Sequence, residues 1–445
     1  MEKLKFGIIS LGCDKNRIDS ELVIAKLNKK YELVIDPKEA DIILINTCGF
    51  IESSKQESIN TILEMAKYKK IYKCKILIVT GCLSQRYKEE LLDLMPEIDI
   101  ILGVNNYDKL LESIDIFLKN NNKLLYCEDN DNFIYDGERV LTTNKHLAYL
   151  RISEGCNNFC TYCVIPKIRG KYRSRKIEDI INEAKILANN GVKELILVAQ
   201  DTTMYGIDIY NEKKLPFLIK KLSQIEGIEW IRLMYAYPEE ITKELILEIK
   251  NNLKVCKYID MPIQHISNSV LRRMNRRGKK EDIINNINMI RKEIKDICLR
   301  TSIIVGFPGE TEDEFNELKK FIKDFKFDKL GVFEYSQEEG TVAATMSNQI
   351  DENIKKLRKE ELMLLQQQIS RELNENKIGN IYDVLIEKYE NGIYYGRSYE
   401  MAPDIDGNVF LSSNENFRIG EIIPIKITKA LEYDLIGVVY NESCK

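Results

Sequence analysis

The sequence predicts an α/β protein of three parts: a parallel α/β sheet domain, a partial (β/α)6 barrel and a small antiparallel β-barrel. Three observations predict it. Short apolar runs alternate with helical, charge-rich stretches through most of the chain. A polar segment at 128–145, rich in Asp, Asn and Thr, interrupts that alternation and reads as a linker. Beyond a long charged stretch without Gly or Pro, at 353–373, the pattern changes to short strands with Gly and Asn turns. At 445 residues the chain also exceeds what one core usually serves, since a domain takes roughly 150 residues. The divisions fall at 1–130, 142–373 and 374–442.

In the first part, strands at 6–10, 41–46 and 75–80 alternate with helical stretches at 20–27, 53–66 and 89–94. Strands separated by helices pair in parallel, with helices on the sheet faces. From His146 a second series begins, with strands at 148–152, 194–198, 230–235, 258–261, 300–305 and 329–333, each followed by a stretch of helical spacing. Six such units make an open or partial barrel, whose site belongs at the C-terminal ends of the strands. The helix at 353–373 closes it, and Gly392, Gly396, Gly407 and Gly420 punctuate the final barrel.

Composition narrows the function. Hydrophobic residues at 44% and charged residues at 31% describe a soluble globular protein. The N-terminus lacks a signal-peptide pattern and no apolar run approaches the roughly 18 residues that span a bilayer, so a cytoplasmic protein without membrane contact is expected. There, eleven cysteines are not a disulfide framework but metal-binding or catalytic thiols. With His146 and His265 the only histidines, a metal must sit on sulfur. A net charge of -4 weighs against a wide nucleic-acid grip, while leaving room for a local basic patch.

The strongest motif is Cys156-x3-Cys160-x2-Cys163, directly after the first barrel strand. Three thiolates can wrap a 4Fe–4S cubane and leave one iron open. An open iron can chelate S-adenosylmethionine and pass an electron to its sulfonium, giving a 5'-deoxyadenosyl radical that the protein must position and shield. A zinc knuckle is the alternative, but a structural zinc takes four protein ligands and no fourth Cys or His is near. A second set is dispersed but regular: Cys13, Cys48 and Cys82 each follow a strand of the first domain, each beside a glycine, Gly12, Gly49 or Gly81. Parallel strands end on one edge, where open α/β sheets bind ligands, so these thiols converge on a second site with an open iron. Cys74, Cys127, Cys256, Cys298 and Cys444 share no such pattern and read as structural.

Cys156 to Cys163 resembles the signature of radical S-adenosylmethionine enzymes, and the triad ahead of it resembles the methylthiotransferase subgroup. That subgroup has an N-terminal cluster domain, a radical barrel and a C-terminal TRAM β-barrel, so the resemblance covers almost the whole chain. Ser10-Leu11-Gly12-Cys13-Asp14-Lys15-Asn16-Arg17-Ile18-Asp19-Ser20-Glu21 and Asn46-Thr47-Cys48-Gly49-Phe50-Ile51-Glu52 look like the branch acting on ribosomal protein S12. Tyr258-Ile259-Asp260-Met261-Pro262-Ile263-Gln264-His265 and Gly396-Arg397-Ser398-Tyr399 fit the same branch. The resemblance implies two 4Fe–4S clusters and two S-adenosylmethionine molecules per turnover. It implies sulfur and methyl insertion at the β-carbon of an S12 aspartate, giving 3-methylthioaspartate. S12, free or in the small subunit, and a low-potential electron donor such as flavodoxin or ferredoxin are the implied partners. Around the cofactor, Tyr162 is expected near the adenine and Gln200 and Asp201 near the methionine ammonium, with Gln264 and Gly306 shaping the pocket. His265 is expected to be structural.

Two rival functions remain open at this point. A tRNA adenosine methylthiotransferase would use the same chemistry, but an RNA grip should be basic, and residues 374–445 hold seven Lys and Arg against twelve Asp and Glu. The basic stretches 168–176 and 272–280 count the other way. An iron-sulfur scaffold or electron carrier is the non-enzymatic rival, and it leaves the barrel unexplained.

Overall fold

Ile42–Thr47 and Ile76–Gly81 are buried along their whole length, as strands covered on both faces must be. The computed structural model describes residues 3–128, 134–413 and 415–440. It places these two strands at the centre of a six-stranded, all-parallel sheet. The order is Glu32–Leu33, Lys5–Ser10, Ile42–Thr47, Ile76–Gly81, Ile100–Leu102, Leu124–Tyr126. The three strands of two or three residues are additions to the sequence reading, too short to carry a pattern. Because the order reverses between Lys5–Ser10 and Ile42–Thr47, a crevice opens beyond their carboxyl ends, where ligands bind in such sheets.

The second sheet is also six-stranded and parallel, and its strands are neighbours in sequence order: Leu147–Arg151, Glu194–Val198, Trp230–Leu233, Val255–Asp260, Cys298–Val305 and Lys329–Glu334. First and last strands do not pair, so the sheet is a half-barrel. Its largest core lies between strands and outer helices, where Leu195, Leu197, Ile246, Ile287 and Leu318 are buried. Glu312–Phe325 shows how the helices are punctuated: the Thr311 side chain accepts from Glu314 N and Glu314 answers in a capping box. Glu352–Glu375 packs against the last strand.

Ile381–Glu390, Ile393–Arg397, Val409–Leu411, Ile422–Ala430 and Leu435–Val439 close into a separate five-stranded barrel. It is riveted to the half-barrel by Arg397, whose guanidinium donates to Glu194 Oε2 at 2.5 Å and Glu387 Oε1 at 2.7 Å. Arg232 donates to the other Glu194 oxygen at 2.7 Å. The N-terminal domain is held near both edges of the half-barrel, and between them by Asp19, which accepts from Arg151 and Arg169. Glu338, beyond the last half-barrel strand, takes Arg86 at 2.9 Å and Lys55 at 3.1 Å. On the other side Glu21 accepts from Thr142 N at 2.8 Å and pairs with Arg139 at 3.4 Å. Among the described residues, no helix is long and apolar enough to cross a membrane. Cys444 and residues 129–133 of the linker lie outside the described residues.

Candidate metal centres

The sheet order brings the first three cysteines together. Cys13 caps the helix Asp14–Asn28, Cys48 follows Ile42–Thr47, and Cys82 opens the helix Cys82–Leu94. Their loops touch. A Cβ on Gly12, at φ +88°, would stand 2.8 Å from Cys48 Cβ, and one on Gly49 would stand 3.0 Å from the Cys82 carbonyl carbon. Glycine is what permits that approach. Asn16 ties the loops: its Nδ2 donates to Leu11 O and Thr47 O, each at 2.9 Å, and its Oδ1 accepts from Cys82 Sγ at 3.6 Å. Cys13 is exposed while Cys48 and Cys82 are buried. Burial pushes the Cys82 thiol up to about 12, against the pull of Arg169, and the charges of Cys13 and Cys48 both act on it.

The second three cysteines stand on the loop after Ser153–Glu154 at the C-terminal edge of the half-barrel. Asn158 N donates to Cys156 Sγ at 3.5 Å, and Cys160 Sγ lies 3.8 Å from the Tyr237 hydroxyl. Burial raises the Cys156 thiol to about 11 and raises Cys163 as well, and the sulfurs of Cys156 and Cys160 both act on Cys163. The next strand steadies the loop through Asp201, which accepts from Asn158 Nδ2 at 2.9 Å. The 272–280 segment does so through Asn275, which donates to Phe159 O at 3.0 Å.

The other residues named from sequence are distributed as follows. Tyr162 stacks edge-on to Phe307 at 6.5 Å between ring centroids. Gln200 Nε2 donates to Glu154 Oε1 at 3.1 Å, while its Oε1 is buried without a partner. Asp201 is buried, one oxygen on Asn158 and the other on Thr203 N at 3.1 Å. Gln264 bridges to the fifth strand at φ +68°, and Gly306 turns at φ +70° over Lys355. His265 is buried, with Nδ1 accepting from Ser267 N at 3.0 Å.

Between the two cysteine sets runs a buried ionic network that the sequence did not announce. Arg169 donates to Glu154 Oε1 at 3.0 Å, Asn16 Oδ1 at 2.7 Å, Asp19 Oδ2 at 3.0 Å and Cys82 Sγ at 3.7 Å. Arg151 donates to Asp19 Oδ1 at 2.6 Å and Glu154 Oε2 at 3.0 Å. Burial by itself would raise the Glu154 carboxyl, yet the two guanidinium groups hold it well below the usual range. The basic run 168–176 is therefore no open patch: Arg169, Arg173 and Arg175 are buried, and Lys171 and Lys176 face solvent.

Two cavities flank this junction. One of about 370 Å³ lies between Gln85 and Asn105 of the N-terminal domain and Cys156, Phe159 and Lys171 of the half-barrel. Another of about 200 Å³ sits inside the half-barrel, bounded by Asp14, Tyr235, Asp260, Arg300 and Asp404. Tyr235, at φ +59°, donates to Asp14 Oδ2 at 3.3 Å.

The donor sets suit iron-sulfur clusters. The first is three thiols on converging loops and the second three thiols on one loop, and coordination deprotonates such thiols outright. Among the described residues, no three His, Cys, Asp or Glu side chains close on a single-ion site. A cubane, whose thiolates bind different irons, calls for a wider set.

Comparison with known proteins follows the same three parts. Residues 150–322 match the radical SAM superfamily, 5–103 the uncharacterized protein family UPF0004, and 378–439 the TRAM domain. Among solved structures, the radical S-adenosylmethionine methyltransferase TsrM from Kitasatospora setae, with cobalamin and a [4Fe-4S] cluster bound, superposes with a TM-score of 0.58 at 12% identity. That match covers 89% of this chain and 81% of that one. The cobalamin-dependent radical enzyme OxsB gives 0.51 at 14% identity, over 83% of this chain and 56% of its own. The half-barrel with its cysteine loop thus defines a radical S-adenosylmethionine protein. Curated relatives are nearer. Ribosomal protein uS12 methylthiotransferase RimO from Clostridium botulinum strain Okra is 64% identical over 445 residues, and that from Clostridium novyi 62% over 443, each covering 100% of both chains. This chain belongs to the ribosomal protein uS12 methylthiotransferase family.

Proposed function

We propose that this chain is a cytoplasmic radical methylthiotransferase. It inserts sulfur and a methyl group at the β-carbon of an aspartate of ribosomal protein uS12, giving 3-methylthioaspartate. The observation that carries this reading is the meeting of two three-cysteine sets, Cys13, Cys48 and Cys82 against Cys156, Cys160 and Cys163, with Arg169 between them. Each set holds a 4Fe–4S cluster, and the units 1–130, 142–373 and 374–442 supply the first set, the second set and the TRAM barrel. When bound, the clusters and S-adenosylmethionine supply the radical, the sulfur and the methyl group.

The chain's own part is to position and to shield. Asp201 orients the cluster loop through Asn158, and Asn16 fixes the N-terminal loops. Tyr162, Gln200, Gln264 and Gly306 surround S-adenosylmethionine, with the unpaired Gln200 Oε1 as an acceptor for its ammonium. The target side chain enters the cavity of about 200 Å³ beside Asp14 and Arg300. Electrons come from a low-potential protein such as flavodoxin or ferredoxin.

The test pairs substrates. Reconstituted, reduced protein is incubated with an aspartate-bearing loop peptide of uS12 and, separately, with unmodified tRNA. A gain of about 46 mass units on the peptide, hydrogen replaced by methylthio, is expected, and a gain on tRNA alone would refute the choice. Cys160→Ala is expected to abolish 5'-deoxyadenosine release, since two thiolates hold a cubane poorly. Cys48→Ala is expected to keep some release while stopping sulfur insertion.

A further inference from the structure

We infer that Arg169, a residue of the radical half-barrel, is a positioning residue for the N-terminal cluster: it donates to the Cys82 sulfur and raises that cluster's reduction potential. The inference rests on the reading of Cys13, Cys48 and Cys82 as cluster ligands.

Three observations lead to it. Arg169 reaches out of its own domain, with Nη2 3.7 Å from Cys82 Sγ and 2.7 Å from Asn16 Oδ1, the same oxygen that Cys82 Sγ approaches at 3.6 Å. Guanidinium, amide and sulfur therefore form one triangle. The guanidinium is held at both nitrogens, since Glu154 accepts from Nη1 and Asp19 from Nη2, each at 3.0 Å, so it cannot swing away from the sulfur without breaking both. Finally, Arg169 is buried, as is Cys82, and a fixed charge in a site with little water acts far more strongly than one at the surface.

A cation and an N–H donor beside a cluster sulfur both favour the reduced, more negative state, and these are the levers by which proteins set iron-sulfur potentials. Two more cations stand near this set: Arg86, which donates to Gly49 O at 2.8 Å beside Cys48, and Lys15. Its ammonium lies 3.2 Å from the centre of the Tyr235 ring, on the Cys13 side. Arg169 takes the Cys82 corner, where its guanidinium reaches the sulfur itself. Since Glu154 lies two residues before Cys156, the cation that tunes one cluster is anchored beside the ligands of the other. The N-terminal cluster then takes its working potential only when the half-barrel is docked.

The experiment uses the full chain with Cys156, Cys160 and Cys163 replaced by alanine, so that the N-terminal cluster gives the whole signal. Iron content is measured first, then the potential by redox titration of the cluster's spectrum. Arg169→Gln should move the midpoint to more negative potential, by at least the tenfold change in reduced-to-oxidised ratio that corresponds to about 59 mV for one electron. Asp19→Asn removes a counter-charge from the same guanidinium and should move it the opposite way. Shifts of opposite sign cannot come from loosened packing. Two variants that melt earlier with unchanged midpoints, or shift in the same direction, would show that Arg169 is only an interdomain strut and overturn the inference. If Arg169→Gln does not hold its cluster, Arg169→Lys is titrated in its place: it keeps a cation but loses the Nη2 reach to Cys82 Sγ, so a smaller shift to more negative potential is expected and an unchanged midpoint overturns the inference. Failure of the parent triple variant to bind iron would overturn the cluster reading and this inference with it, and the iron assay registers that before any potential is measured.

Discussion

Asn16 holds the carbonyls of Leu11 and Thr47 and meets the Cys82 sulfur, so one amide sets the spacing of three loops. Asn16→Ala would strand those acceptors, at about 1–3 kcal/mol for each buried group left unpaired. Iron loading at the N-terminal site is expected to fall, with the Cys156, Cys160 and Cys163 site still able to cleave S-adenosylmethionine; separate iron and 5'-deoxyadenosine assays would show it. His265 offers a different residue-scale outcome. Burial, with Arg273 and Arg358 nearby and Glu314 opposing, lowers its pKa to about 3. The folded protein therefore binds fewer protons here than the unfolded chain, whose histidine titrates near 6.5. Its contribution is complete above that value and declines as the pH falls from about 6.5 to about 3, by up to about 1.4 kcal/mol per unit. His265→Gln is expected to flatten that slope in denaturant titrations across the acid range. At this scale the sequence was legible where a residue type has few uses. Six cysteines at loop positions after strands could be named, but Arg169 could not, because a lysine- and arginine-rich run looks the same whether its side chains face solvent or a buried carboxylate.

Elements were legible in proportion to their length. The half-barrel strands were placed to within a few residues, because five or six apolar residues between helical stretches leave a clear pattern, as with Glu194–Val198. Glu32–Leu33, Ile100–Leu102 and Leu124–Tyr126 are held by pairing to a sheet already formed, which local sequence does not encode. The Gly396-Arg397-Ser398-Tyr399 strand end, noticed as a family motif, has a mechanical explanation: Arg397 is the rivet between the two barrels. Arg397→Met would leave Glu194 with Arg232 alone and Glu387 with His146. Breaking a buried pair from one side costs about 3–5 kcal/mol, and the retained partners place this one near 3. A lowered melting temperature, with the C-terminal barrel becoming sensitive to protease, is the expected result. The acidity of that barrel is also less available than its composition suggests, since Glu387 and Glu400 are taken up by Arg397 and Lys377.

Across the whole molecule, three units share an apolar seam, in which Ile18 and Leu22 meet Tyr149, Tyr258 and Ala402, and buried polar ties, two of them carried by Glu338. Burial would raise its carboxyl, but Ser336, Arg86 and Lys55 together lower it. Glu338→Ala would remove the buried carboxylate that two cations share, leaving Lys55 with Glu52 and Arg86 with the carbonyls of Gly49 and Glu339, so the cost falls below the roughly 3–5 kcal/mol of a fully broken pair. Calorimetry is expected to resolve an early transition for the N-terminal domain that the parent protein lacks. Neither this tie nor the Glu21 tie is visible in sequence, because each joins residues more than a hundred positions apart.

Those two ties also determine how a substrate can arrive. The N-terminal domain is fastened near both free edges of the half-barrel, at Glu338 beyond the last strand and at Glu21 beside the segment leading to the first, with Asp19 between, an arrangement that leaves no single line of contacts to serve as a hinge. Asp404 and Ile405, which line the smaller cavity, stand exposed at its edge. A recess of about 200 Å³ has room for a side chain on a projecting loop and none for a broad folded face.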